Sequence, residues 1–271
     1  MAFSLRWPVF CVWLHTDPPT PGRNSSLGLG FVCLNSDCAR PFAGNRHRRC
    51  GRAASRVADG RLEDKALDSS KDDDDAMAAQ LNAFSYSGSC KDGSLVSVEV
   101  LKPKHSKGTV EVLTDSFCDL LWGPLTYRPL LRMIVQENLI ETQKLFPKNV
   151  ILVALYEQSS AKVVVGTVEV YLSSAGVSSP NPPPDAPFLC NMAVKQNYRS
   201  VYRKGIAGQL LKAAEELAVT MGSNEMYLHC RLIDKVPLGI YQRAGYEVVS
   251  TSSVFSLLVL QRRKHLMRKR L

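Results

Sequence analysis

Close cysteine pairs are missing from this chain. Its eight cysteines (Cys11, Cys33, Cys38, Cys50, Cys90, Cys118, Cys190 and Cys230) form no Cys-x-x-Cys pair and no cluster with histidine. No metal site is therefore expected, and scattered thiols fit a reducing compartment. Long apolar runs are also missing, since no stretch nears the roughly 20 residues of a membrane-spanning helix. The order Gly-x-x-x-x-Gly-Lys-Ser/Thr does not occur, which excludes a Walker-type nucleotide loop. A dinucleotide fingerprint is excluded as well. The glycine spacing around Gly205 and Gly208 is wrong for it, and no acidic residue closes the strand that follows.

Lysine is absent from the first 60 residues, which hold eight arginines and only three acids, Asp17, Asp37 and Asp59. Serine, alanine and proline are frequent there and no hydrophobic period persists. This arginine-rich, acid-poor composition marks an organelle transit peptide. The apolar run Val9 to Leu14 is short for a secretory signal, and no small-residue cleavage site follows it. The plain alternative is a disordered tail. Lys71 is then followed by four aspartates ending at Asp75, which read as a solvated linker. Adjacent carboxylates cannot all turn toward one calcium ion without the alternating spacing of a true binding loop. The expected division is a disordered leader and acidic linker over residues 1–76 and one folded domain over 77–271. The last eleven residues carry six basic side chains and no acid, within a chain of formal charge +9. They read as a solvated basic tail after the last strand rather than a nucleic-acid or membrane-surface site.

Arg199 to Leu211 (Arg-Ser-Val-Tyr-Arg-Lys-Gly-Ile-Ala-Gly-Gln-Leu-Leu) carries the chemistry. It joins an extended apolar segment, Phe188 to Val194, to a helical pattern ending near Met221. A strand, a basic glycine loop and a helix start together can hold a pyrophosphate. The first-turn N–H groups are unpaired, and the helix dipole adds positive potential. Gly205 and Gly208 let the backbone approach an anion, while Arg199, Arg203 and Lys204 supply charge. The bland alternative is a basic helix start with a glycine kept for close packing.

The surrounding pattern is alternating β and α. Ser97–Leu101 and Thr109–Leu113 are β-like, and one of them should be the first strand. Tyr127–Phe146 is helical, with an apolar stripe of Leu130, Leu131, Ile134, Val135, Leu139 and Ile140 ending at Pro147. Ile151–Tyr156 and Val163–Leu172 read as consecutive strands. Ser173–Pro187 reads as a flexible loop, either a spacer or a lid. Glu225–Leu232 reads as a strand and Val236–Gly245 as a short helix, with Pro237 in its first turn and Gly245 at its C′ position. Tyr246–Ser250 and Val254–Leu260 read as closing strands.

Two motifs in this order, Arg203-Lys-Gly-Ile-Ala207 and Ile240-Tyr-Gln-Arg-Ala-Gly-Tyr246, separated by a helix and a strand, resemble the GNAT acetyltransferase superfamily over roughly Val98 to Arg263. The resemblance implies an α/β fold: a central, mixed, mostly antiparallel twisted sheet flanked by helices. One departure stands out. The family places Arg or Gln three residues before the first loop glycine, where this chain has Tyr202. Without Ser200-Val201-Tyr202 the loop would read Asn-Tyr-Arg-Arg-Lys-Gly-Ile-Ala, a full match, so these three residues read as an insertion.

The resemblance also implies a site. Acetyl-CoA would be the co-substrate, held by Arg199, Arg203, Lys204, Gly205, Ile206, Ala207 and Gly208. Backbone groups of Met192, Ala193 and Val194 would pair with the pantetheine arm as an added strand does. One of their N–H groups would hold the thioester oxygen. Asp234 matches a family position near the pantetheine end, often Asn. Tyr241 matches the family's general acid, against the alternative of a core tyrosine. His229 matches a position held by a glutamate base in bacterial ribosomal-protein acetyltransferases, against the alternative of a structural histidine. Glu169 is the reserve base. The transit-like leader joined to such a domain resembles plant plastid enzymes, which implies protein or peptide amines as acceptors in the chloroplast stroma. The mitochondrion is the alternative compartment. A small arylalkylamine acetyltransferase and an impaired CoA-binding module are the alternative functions. A nucleic-acid partner is not expected.

Overall fold

The computed structural model describes residues 74–90, 93–121, 127–158, 161–174, 177, 180–199, 205–253 and 263–271. The leader, the inserted Ser200–Tyr202 with Arg203 and Lys204, and the expected strand Val254–Leu260 lie outside these residues.

The described chain forms helix α1 (74–83), then β1 (Ser85–Ser89), β2 (Leu95–Val100), α2 (Ser106–Leu121) and α3 (Arg128–Gln143). It continues through β3 (Asn149–Gln158), β4 (Ala161–Tyr171), β5 (Phe188–Val194), α4 (Ile206–Thr220), β6 (Glu225–Arg231), α5 (Lys235–Arg243), β7 (Glu247–Thr251) and β8 (Lys264–Arg270). The strands make one eight-stranded sheet in the order β1-β2-β3-β4-β5-β6-β8-β7. Every neighbouring pair is antiparallel except β5 and β6, which run parallel and need the α4 crossover between them.

Helix α4 closes one face of the sheet. Ile206, Ala207, Leu210, Leu211, Ala213, Ala214, Leu217 and Ala218 are all buried, spaced so that one broad stripe of the helix faces the strands. Small residues in this stripe let the helix lie close. Leu210 is fully buried and comes so near β4 that a Cβ on Gly166 would meet its Cδ1 at 2.9 Å. Leu81 of α1 belongs to the same core. Helices α2 and α3 cover the other face through Val110, Leu131, Val135, Leu139 and Ile151.

Several expected elements come out differently. Thr109–Leu113, read as extended, lies inside α2. Its Val110 and Val112 alternate as in a strand, but they pack into two separate clusters on neighbouring parts of the sheet. Packing of this kind overrides the low helix propensity of β-branched residues. Gly108 allows the close approach, since a Cβ there would meet Val164 at 2.9 Å. In α3 only the i, i+4, i+8 set Leu131, Val135 and Leu139 is buried, while Leu130 and Ile140 of the expected stripe are exposed.

The basic C-terminal residues are not a tail. Lys264–Arg270 is β8, paired with β6 on one side and β7 on the other. Its Leu266 and Met267 are buried, and three of its charges are met by acids: Lys269 by Glu215 at 2.6 Å, and Arg268 and Arg270 by Glu225 at 3.5 and 3.8 Å. Helix α1 includes residues 74–76, so the folded part begins before the expected boundary at residue 77. Among the described residues no helix is long and apolar enough to cross a membrane.

Candidate active site

The sheet opens between β5 and β6. The two strands pair only at Phe188–Tyr227 and Leu189–Leu228, and then diverge. The backbone N–H of Lys195 donates to Val165 O on β4. Because backbone direction alternates along a strand, Ala193 also faces β4, while the backbone groups of Met192 and the Val194 amide face the opening; Val194 O already accepts from Arg199 Nε. This is the edge on which an extended, amide-bearing ligand can pair.

A bulge turns β5 away from β6. On β4, Thr167 and Glu169 oppose Ala193 and Cys190, so the single residue Val168 faces both Asn191 and Met192. Asn191 has φ +47°. Extra residues of this kind bend a strand and re-aim the side chains that follow.

At the end of the opening, Gly205 stands as the N-cap of α4 with φ 78°. A side chain is strained at that angle, which accounts for the glycine. The first intrahelical bond runs from Gln209 N–H to Gly205 O, so the earlier amides of Ile206, Ala207 and Gly208 are left at the helix end. Among the described residues, a Cβ on Gly208 would meet nothing within 4 Å. Buried Ile206 and Ala207 fix the helix start to the core. Such an end suits a phosphate by both donors and dipole. Arg199 is engaged elsewhere: its Nε donates to Val194 O and its Nη2 to Ser116 Oγ at 2.7 Å, tying the end of β5 to α2.

Tyr241 is fully buried in α5, in the same core cluster as Met192 and Val194 of β5 and Leu228 and Cys230 of β6. Tyr246 stacks edge-on to it at 6.0 Å. Asp234, the N-cap residue of α5, binds Arg231 through both carboxylate oxygens at 2.5 and 2.9 Å. That pair fixes the turn between β6 and α5. Arg231 Nη1 is buried without a hydrogen-bond partner.

His229 lies on the other face of β6, buried against Phe188. Its Nε2 is 2.8 Å from Pro180 O, so this nitrogen carries the proton and anchors the Ser173–Pro187 loop to the sheet. Burial, with the nearby Lys264 charge, pushes its pKa down to about 3. The sign follows directly. An unfolded histidine takes up a proton below about 6.5 while the folded one stays neutral, so stability is full above that pH and falls as pH drops toward 3. The expected loss from this group is about 2 kcal/mol between pH 7 and pH 5. Urea midpoints at both pH values, in wild type and His229→Gln, check it: the variant should lose this group's share of the pH dependence, while His105 and His265, whose pKa burial also lowers, keep theirs.

Glu169 is also buried. Its Oε1 accepts from Asn149 Nδ2 at 2.5 Å and its Oε2 from Asn191 Nδ2 at 2.6 Å. Neither asparagine was singled out from the sequence. The available signal was Asn191 itself, an asparagine amid apolar strand residues and a residue type that tolerates the left-handed region. A separate groove of about 750 Å³ lies between α2 and α3, lined by Glu111, Thr114, Arg128, Arg132, Met133 and Gln136 among others. It contains none of the residues above.

Residues 115–246 match the family model of the acetyltransferase (GNAT) family. The Arabidopsis thaliana protein "GCN5-related N-acetyltransferase 5, chloroplastic" is 40% identical over 205 residues, which cover 70% of this chain and 63% of that protein. The match thus spans less than two thirds of that relative's length. Among solved structures, the GNAT domain of S. lividans PAT superposes with a TM-score of 0.50 at 16% identity, over 69% of this chain and 97% of that one. The PaiA N-acetyltransferase of Thermoplasma acidophilum, solved in complex with coenzyme A, gives 0.46 at 18% identity, over 65% and 99%. The diverging strands and the glycine-capped helix agree with what residues 115–246 resemble, the acetyltransferase (GNAT) family.

Proposed function

We propose that this chain is an acetyl-CoA-dependent N-acetyltransferase that acts on protein amines, at lysine side chains and N-terminal α-amines, by direct transfer in a ternary complex. The observation that carries this reading is the opening between β5 and β6, with the Met192 and Val194 backbone along it and the Gly205-capped start of α4 at its end. The described groups fit the co-substrate: the α4 amides from Ile206 to Gly208 for the pyrophosphate, and the β5 edge for the pantetheine amides; Arg203 and Lys204, known here from the sequence alone, would add charge beside them. When bound, acetyl-CoA supplies the acetyl group as a thioester.

The chain's own groups do the rest. A β5 backbone N–H donates to the thioester oxygen as negative charge grows there. The Tyr241 phenol would donate a proton to the departing thiolate, a transfer uphill by roughly 1.5 pK units, and the proton that the acceptor nitrogen loses on forming the amide would return to the phenolate, which closes the balance. His229 serves the loop through its Nε2, and Glu169 has both oxygens bonded to amides. We therefore assign amine activation chiefly to proximity of the bound reactants, which supplies a large share of such barriers. Arg199 holds Val194 rather than a phosphate, and Asp234 holds Arg231. The site is proposed to work in the plastid stroma. The arginine-rich leader and the chloroplastic relative support that placement.

The test is expression of the chain in a bacterial host, with new acetyl marks on lysines and N-termini read by mass spectrometry. Marks above an empty-vector control are the expected result. Their absence, together with turnover of a small arylamine, would overturn the protein-acceptor reading. A variant lacking Ser200–Tyr202, run in parallel, should gain acetyl-CoA affinity if the longer loop weakens pyrophosphate binding.

A further inference from the structure

We infer that Glu169 is a positioning residue: through Asn191 it holds the β5 bulge in the left-handed conformation that opens the strand toward the co-substrate. This rests on the proposed function for its meaning, but its structural content is separate.

The first observation is location. Asn191 lies two residues past the last β5–β6 pair, Leu189–Leu228, and directly before Met192, whose backbone faces the opening. Its φ of +47° is the only positive value at a non-glycine residue among the described residues. At the first position of a bulge that conformation normally belongs to glycine. Asparagine tolerates it better than other side chains, and it still needs holding.

The second observation is what holds it. Asn191 Nδ2 donates to Glu169 Oε2 at 2.6 Å across the β4–β5 ladder. Glu169 cannot swing away, because its Oε1 is bonded to Asn149 Nδ2 at 2.5 Å. Asn149 is itself 2% exposed, and among the described residues its side chain bonds to Glu169 alone, with Oδ1 left without a partner. A buried amide left half-satisfied is costly, and here it does one thing: it fixes a carboxylate. The chain Asn149–Glu169–Asn191 therefore runs from β3 through β4 to β5 and ends on the residue where the sheet begins to open. A carboxylate can only accept, so both amide nitrogens must face it and the order of the three groups is set.

This assignment differs from a direct catalytic role. A base would lower turnover when removed and leave co-substrate affinity alone. A positioning residue acts on affinity for CoA, and its loss is repaired by a residue that takes the left-handed conformation unaided. The experiment is calorimetric titration of CoA into the full chain as wild type, Asn191→Ala, Glu169→Gln and the double variant Glu169→Gln/Asn191→Gly, with crystal structures of wild type and Glu169→Gln. The expected result is a tenfold or greater loss of CoA affinity in Asn191→Ala, a smaller loss in Glu169→Gln, and recovery of most of that loss in the double variant. In the Glu169→Gln structure residue 191 should leave the left-handed region. CoA affinity unchanged in Asn191→Ala, or a double variant no better than Glu169→Gln, would overturn the inference. If wild type binds no CoA, the proposed function fails and the structures decide alone: φ at residue 191 still near +47° in Glu169→Gln overturns the positioning role.

Discussion

Replacing Tyr241 by phenylalanine should lower kcat about 100-fold while leaving CoA affinity within about threefold. The expected loss corresponds to about 2.7 kcal/mol of transition-state stabilisation. The substitution removes one oxygen from a fully buried side chain and keeps the ring that packs edge-on against Tyr246. Stability should therefore change far less than rate. An interaction made only as the thiolate departs lowers kcat and kcat/KM equally, whereas one shared with the bound ground state would raise KM. Steady-state kinetics with acetyl-CoA and an acceptor peptide, beside a CoA titration, separates these outcomes. Equal kcat in the two proteins would remove Tyr241 from the chemistry and leave it a core tyrosine.

The second large effect is on stability. Leu210→Ala should destabilise the domain by about 3 kcal/mol, because it empties a fully buried site between α4 and the central strands. For a domain of this size that corresponds to a fall in Tm of roughly 6–12 °C. The neighbouring glycine gives the claim a sharper form. A Cβ on Gly166 would meet Leu210 Cδ1 at 2.9 Å and Ala193 O at 3.1 Å, so Gly166→Ala should be destabilising in wild type. With Leu210 already truncated the first clash is gone. The two changes should then cost less together than their sum, by an amount that a double-mutant cycle measures. Strict additivity in thermal melts would mean that the helix shifts instead of leaving a cavity.

The parts of the fold that could be read from sequence are those in which local pattern and tertiary role coincide. Phe188–Val194 is an apolar run, broken only by Asn191 and buried on both faces elsewhere, and β5 has those limits. The glycine loop followed by a small-residue apolar stripe gave α4 the same way. Elements whose stability comes from distant partners were not legible. Strand β1 is Ser-Tyr-Ser-Gly-Ser, with no alternation of its own. It is held by pairing to β2 and by Gln209 of α4, which accepts from Tyr86 and donates to Ser89 O, each at 2.7 Å. Strand β8 reads as a charged tail because its compensating acids, Glu215 and Glu225, lie far away in sequence. In the site, residue types were legible and their engagements were not. Arg199, His229 and Glu169 carry the right chemistry, yet each is bonded to a partner distant in sequence, Ser116, Pro180 and Asn149 respectively, while Asp234 is taken up by Arg231 three residues away.

Helix α1 sets a limit on how far the chain can be trimmed from its N-terminal side. Leu81 is fully buried in the main core, Met77 packs against that core, and Lys148 reaches Asp74 at 3.4 Å. Trimming through Leu81 would take core side chains away with the discarded peptide. The four aspartates after Lys71 thus straddle the start of this helix, where trimming begins to remove contacts of the fold.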